Sequence, residues 1–206
     1  MRRLLVAAVL VTAATAGTIT YARLEPLALG GLGTQVRTSA TGYSLSNSLM
    51  EPSAVVLKYE PGAKVMVEFS VMTRDWPPVE LVDLDETIEE WRESIPPCFW
   101  QPTSGRVLSS GMHGEPQREP VSLPHTLEPQ ADILIVQVTG EIGDARHRAC
   151  GMKGLATLWL EAPLRFRWLG VTRTQTVPLD LKLGISENPG DHTTMDVTPL
   201  PSLATG

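Results

Sequence analysis

Two stretches of the chain alternate apolar and polar positions behind the same opening: Glu-Pro, one residue, Ala. The first, "EPGAKVMVEFSV", starts at Glu60, and the second, "EPQADILIVQV", starts at Glu128. In the first, Ala63, Val65, Val67, Phe69 and Val71 share one face under a period of two. Lys64, Met66, Glu68 and Ser70 share the other, which predicts a half-buried antiparallel strand with one wet face. Proline suits the position ahead of a strand: it fixes φ and lacks an N–H where the ladder has not yet begun. Gly62 follows it in the first phrase and Gln130 in the second.

Further runs of strand character are "YSLSNSL" (43–49), "AVVLKY" (54–59), "VELVDL" (79–84), "GRVLSS" (105–110) and residues 132–138. "LATLWLEAPLRFRWLGV" (155–171) and "TQTVPLDLKLGI" (174–185) supply the last strands. Within them Phe166 and Trp168 alternate with Arg165 and Arg167, and Leu179, Leu181 and Leu183 with Asp180 and Lys182. One helix is predicted over 83–94, with Asp83 and Glu86 as a capping box and Leu84, Ile88, Trp91 and Ile95 at helical spacing. Its Glu86, Glu89 and Glu90 read as a solvated face, since a calcium loop needs a glycine and a ligand spacing that this segment lacks. About eight short strands with turn signals and little helix predict a mainly β protein, a single two-sheet antiparallel sandwich. Its expected core is Val65, Val67, Phe69, Val71, Leu81, Ile133, Ile135, Leu158, Leu160, Phe166 and Trp168. The expected division is a sandwich over 43–185, a flexible stalk over 23–42 and a disordered polar tail over 186–206.

The N-terminus has a separate pattern. Arg2 and Arg3 precede "LLVAAVLVTAATAGTITYA" (4–22), which carries no charge before Arg23. That run approaches the roughly 20 residues a transmembrane helix needs. It reads as a signal anchor with the rest of the chain extracytoplasmic, the arginines staying inside. The alternative is a signal peptide cleaved at Ala14-Thr15-Ala16, near Ala16, which releases a secreted protein.

Export changes the reading of the two cysteines, Cys98 and Cys150. In an oxidising compartment they are expected to form one disulfide, closing a long loop and stabilising by about 4 kcal/mol. The rival is a metal site of Cys98, His147 and Cys150, but "PPCFW" supplies no second ligand beside Cys98. No metal or other cofactor is expected.

The Pro-led openings carry a resemblance. Pro61-Gly62, the strand 65–71, Asp75 in the following turn, the apolar run 79–84, and Pro129 ahead of 133–138 follow one layout. It resembles the immunoglobulin-like, cell-adhesion-related domains of exported bacterial proteins. More narrowly it resembles membrane-anchored proteins of high-GC Gram-positive bacteria with one such domain outside. The resemblance implies an immunoglobulin-like β-sandwich over about 43–185 and implies little about activity; the helix over 83–94 and Gln130 depart from its pattern.

Candidate chemistry is sparse. The net charge of −6 provides no electrostatic footprint for nucleic acid. No nucleophile elbow, zinc-protease helix, phosphate loop or dinucleotide fingerprint occurs. Ser109, Ser110 and His113 lie together in "SSGMHG" without an orienting acid. The arginines of "RHR" and "RFR" could attract anionic polymers, or simply mark the wet side of a strand. Trp76, in the turn "RDWPP", is a candidate contact residue, whereas Trp159 and Trp168 read as core or rim aromatics. The expectation is a non-enzymatic envelope protein, tethered to the membrane by its N-terminal helix. Its sandwich would bind a protein or an envelope polymer. Two alternatives stay open: an accessory subunit of a membrane complex, and a metal- or thiol-dependent enzyme.

Overall fold

The computed structural model describes residues 25–45, 53–74, 77–110, 118–129, 132–144, 155–188, 197–199 and 203. Among them, two sheets enclose one apolar core. The five-stranded sheet runs β1 (Leu27–Thr38), β4 (Lys64–Thr73), β9 (Ile133–Ile142), β6 (Trp100–Ser109), β7 (Pro120–Val121). The seven-stranded sheet runs β12 (Val197–Pro199), β2 (Gly42–Leu45), β3 (Ser53–Lys58), β11 (Val171–Ser186), β10 (Leu155–Trp168), β5 (Val79–Asp83), β8 (His125–Leu127). Every pairing is antiparallel except that of β3 with β11. The mainly β, two-sheet expectation therefore holds for the described residues.

The repeated phrase has a local cause. Ala63 N–H donates to the Glu60 carbonyl at 2.9 Å, and Gly62 has φ +80°. That is a type II turn with Pro61 and Gly62 in the positions each favours. The second phrase closes differently: Asp132 N–H reaches the Glu128 carbonyl, and Glu128 N–H donates to Asp132 Oδ2 at 3.0 Å. The strands they open, β4 and β9, are antiparallel neighbours, so the two turns stand at opposite ends of one sheet.

Among the described residues one helix, α1 (Asp85–Ser94), packs on β6 and β10 and so joins the two sheets along one side. Ile88 and Trp91 face the core. The expected capping box does not form: Leu84 is the N-cap and its side chain makes no capping bond. Asp83 instead accepts the Asp85 N–H at 2.9 Å, and Thr87 Oγ1 donates to the Asp83 carbonyl. Glu86 pairs with Arg165, tying the outer face of the helix to β10.

Four further expectations need correction. The stalk over 23–42 is not one: Leu27–Thr38 is strand β1, paired along β4. Its alternation is hidden because the register slips between Leu29 and Thr34, where Gly30, Gly31, Leu32 and Gly33 bulge out. The tail over 186–206 includes β12, which pairs with β2, and Leu203 N–H donates to the Thr38 carbonyl at 3.1 Å. In β9 the core side chains are Leu134, Val136 and Val138, not Ile133 and Ile135. Ile135 is paired with Ser70 and points to the outer face, where it is nonetheless buried. The wet face assigned to β4 is not wet, because Met66, Glu68 and Ser70 are all buried. The other predicted core residues lie in or against the common core, Leu158 only partly buried.

Close backbone approach fixes one corner. Gly143 N–H donates to the Phe99 carbonyl at 2.8 Å, and a Cβ at Gly143 would overlap the Pro97 carbonyl oxygen. Since the obstacle is backbone, Gly143→Ala is expected to cost about 1–3 kcal/mol, read as a lower denaturant midpoint at unchanged slope.

No helix among the described residues is long and apolar enough to cross a membrane. The segment 4–22 lies outside the described residues.

Candidate functional site

Buried polar side chains are the informative feature of a sheet face. The outer face of the five-stranded sheet carries a rung of them. Gln35 on β1 stands opposite Glu68 on β4, Glu68 opposite Gln137 on β9, and Gln137 opposite Arg106 on β6. Gln137 Nε2 donates to Glu68 Oε2, and Arg106 Nε donates to Gln137 Oε1 at 2.6 Å. Arg118, from the segment leading into β7, donates Nη1 to Glu68 Oε2 at 2.9 Å. Glu68 is 5% exposed, so its carboxylate depends on these donors in place of water.

Beside this network lies a cavity of about 80 Å³ lined by Leu32, Gly33, Gln35, Glu68, Ser70 and Arg118, among others. The glycine bulge of β1 forms one wall. Gly30 closes over Ser70, where a Cβ would crowd the hydroxyl. Ser70 is 1% exposed, and its Oγ has no hydrogen-bond partner among the described residues. Pockets that enclose a whole small molecule run to about 300–1,000 Å³. This one has room for a single protruding group.

The charge of the face is opposite to that of the chain. Its strand positions carry Arg37, Lys64 and Arg106, and Arg118 lies over them, against Glu68 and Glu141. Among the described residues, four cations against two carboxylates leave two positive charges in excess, on a chain of net charge −6.

The described residues among those singled out from sequence do not share one site. Cys98 is buried in the core, and Cys150 lies outside the described residues, as do His147, Trp76 and His113. Ser109 belongs to β6, where its N–H donates to the Glu119 carbonyl at 2.9 Å. Arg165 and Arg167 are engaged, with Glu86 and with Glu80 at 2.6 Å, on either side of buried Phe166. Trp168 is buried and donates Nε1–H to the Pro77 carbonyl at 3.2 Å, whereas Trp159 is an exposed aromatic with Lys182 Nζ over its ring at 5.6 Å. No group of three metal-ligating side chains occurs among the described residues. Sequence reasoning missed Glu68, Gln137, Arg106 and Arg118. Their only signal was a carboxylate and an amide inside the apolar runs of two strands that share an opening phrase.

The molecule so defined is a mainly β, two-sheet protein with a polar, locally cationic face. A scan of the chain against protein-family models finds no match, and a search of curated proteins finds none either.

Proposed function

We propose that the chain is a non-catalytic module of the cell envelope: an immunoglobulin-like sandwich, extracytoplasmic, tethered by residues 4–22 and bridged by Cys98 and Cys150. It binds an anionic segment of an envelope protein or polymer on the outer face of the five-stranded sheet. The observation that carries this reading is the excess of two cations around a buried, hydrogen-bonded Glu68 on an otherwise acidic protein. Glu68 positions Arg118 and Gln137; Arg118, Arg106 and Arg37 meet the anionic groups. A carboxylate or hydroxyl of the ligand enters the small cavity beside Arg118. Recognition by such a face weakens as salt rises.

The test is photo-cross-linking of the full chain in cells. A photoreactive side chain is placed at Leu32, on the cavity wall, or at Trp159, on the other sheet; both positions are about half exposed. A discrete adduct is expected from Leu32 and not from Trp159, and Arg118→Glu abolishes it. Equal labelling from both positions, or an adduct indifferent to Arg118→Glu, would remove this face as the binding site.

A further inference from the structure

The second exposed feature is the tip of the β10–β11 hairpin. Trp168 pairs with Val171 across Leu169 and Gly170, whose φ values are +49° and +79°. That is a two-residue turn with both central residues left-handed, where Asn-Gly is the favoured pair. Leucine is a poor choice there, since its side chain strains at positive φ. Leu169 is also 61% exposed and Val171 49% exposed, so neither is placed by packing within the fold. A strained backbone outlier that also exposes its apolar side chain is a starting point for inferring a contact outside the chain.

The position of the tip points to the partner. β1 runs beside β11 in the same direction. Leu27 N–H donates to Gln175 Oε1 at 3.1 Å, and Gln175 Nε2 donates to the Leu27 carbonyl at 2.8 Å. Further along, Thr34 Oγ1 donates to the Leu179 carbonyl at 2.6 Å. Arg74 N–H donates to the Pro26 carbonyl at 2.8 Å, which holds the chain on that line through Pro26. Traced backwards, four residues lead from Gln175 to Val171, and four from Leu27 to Arg23. Either run spans at most about 14 Å. The apolar segment 4–22 ends five residues from Leu27 along the chain, a length that permits it to reach the level of the hairpin tip.

We propose that this tip is a second membrane contact: Leu169 and Val171 dip into the interfacial layer of the bilayer that residues 4–22 span, fixing the orientation of the sandwich on its tether. Arg167, paired with Glu80, and Arg173 follow directly behind the tip, at the height of lipid phosphates. With the tip in the headgroup layer, the cationic sheet face stands roughly along the membrane normal and stays open to envelope partners.

This inference rests on the tether proposed above, and one experiment separates the two. The full chain is reconstituted into phospholipid vesicles containing an anionic lipid with a photoactivatable group in its upper acyl chain, and adducts are mapped by mass spectrometry. Adducts are expected both within 4–22 and at Leu169–Gly170–Val171. Leu169→Asn should remove the tip adducts several-fold while raising the melting temperature by about 2–4 °C, because asparagine tolerates the left-handed turn. Adducts confined to 4–22 would leave the tether standing and overturn the second contact. An absence of adducts in 4–22, with the chain free of the vesicles, would overturn the tether and this contact with it.

Discussion

Replacing Trp91 with alanine is expected to lower stability by about 3–5 kcal/mol, the cost of emptying a large aromatic site in a packed core. Trp91 is fully buried at the junction of α1 with both sheets. Its ring meets Trp100 edge-on at 5.0 Å and Phe69 edge-on at 6.0 Å, so three aromatics from α1, β6 and β4 share one cluster. Trp100 is fixed in turn by Nε1–H donation to the Val65 carbonyl at 3.1 Å. Truncating the middle ring leaves a cavity that the flanking rings cannot fill without breaking that bond. α1 then loses its main anchor, while Glu89→Ala on its exposed face should change stability by no more than about 0.5 kcal/mol. Urea denaturation of both variants reads the difference. A loss below about 1 kcal/mol for Trp91→Ala would mean that the helix is peripheral to the fold.

Glu68→Ala is expected to be next in size, at about 2–4 kcal/mol. Removing one member of a buried charged network leaves its partners without compensation. Gln137, itself buried, loses its acceptor. Arg118 is partly exposed and can recover water, which holds the effect below that of a fully buried pair. Glu68→Gln keeps the shape and an acceptor, so it should cost about 1 kcal/mol. The two variants separate the folding role of the carboxylate from its role in recognition: Glu68→Gln should remain well folded yet weaken the Leu32 adduct, since Arg118 is no longer held by a charge. Wild-type stability in both variants would mean that the carboxylate does not organise this face.

Strands with one clean alternation were legible in the sequence. β11 shows this best: Leu179, Leu181 and Leu183 are buried, Asp180 is exposed and Lys182 half-buried. β1 was not legible, because three glycines in a four-residue bulge erase the period that Val36 and Thr38 resume beyond it. The parity of β9 was not legible either. "ILIV" is apolar on both faces, and which face is inside is set by its pairing with β4. The wet face failed for a related reason: the outer side of β4 is covered, and what covers Ser70 is the glycine bulge that the sequence presented as a linker. The site itself depends on contacts between residues far apart in sequence. Glu68 and Gln137 are 69 residues apart and meet only because β4 and β9 are neighbours, which no local pattern encodes.

The most direct measurement is the intact mass of native protein recovered separately from membrane and medium, with thiol alkylation before and after reduction. A full-length chain in the membrane fraction, alkylated at Cys98 and Cys150 only after reduction, is the predicted result. A chain shortened after Ala16 and found in the medium would contradict the tether. Two thiols alkylated without reduction would contradict the bridge and return attention to metal chemistry at Cys98, His147 and Cys150.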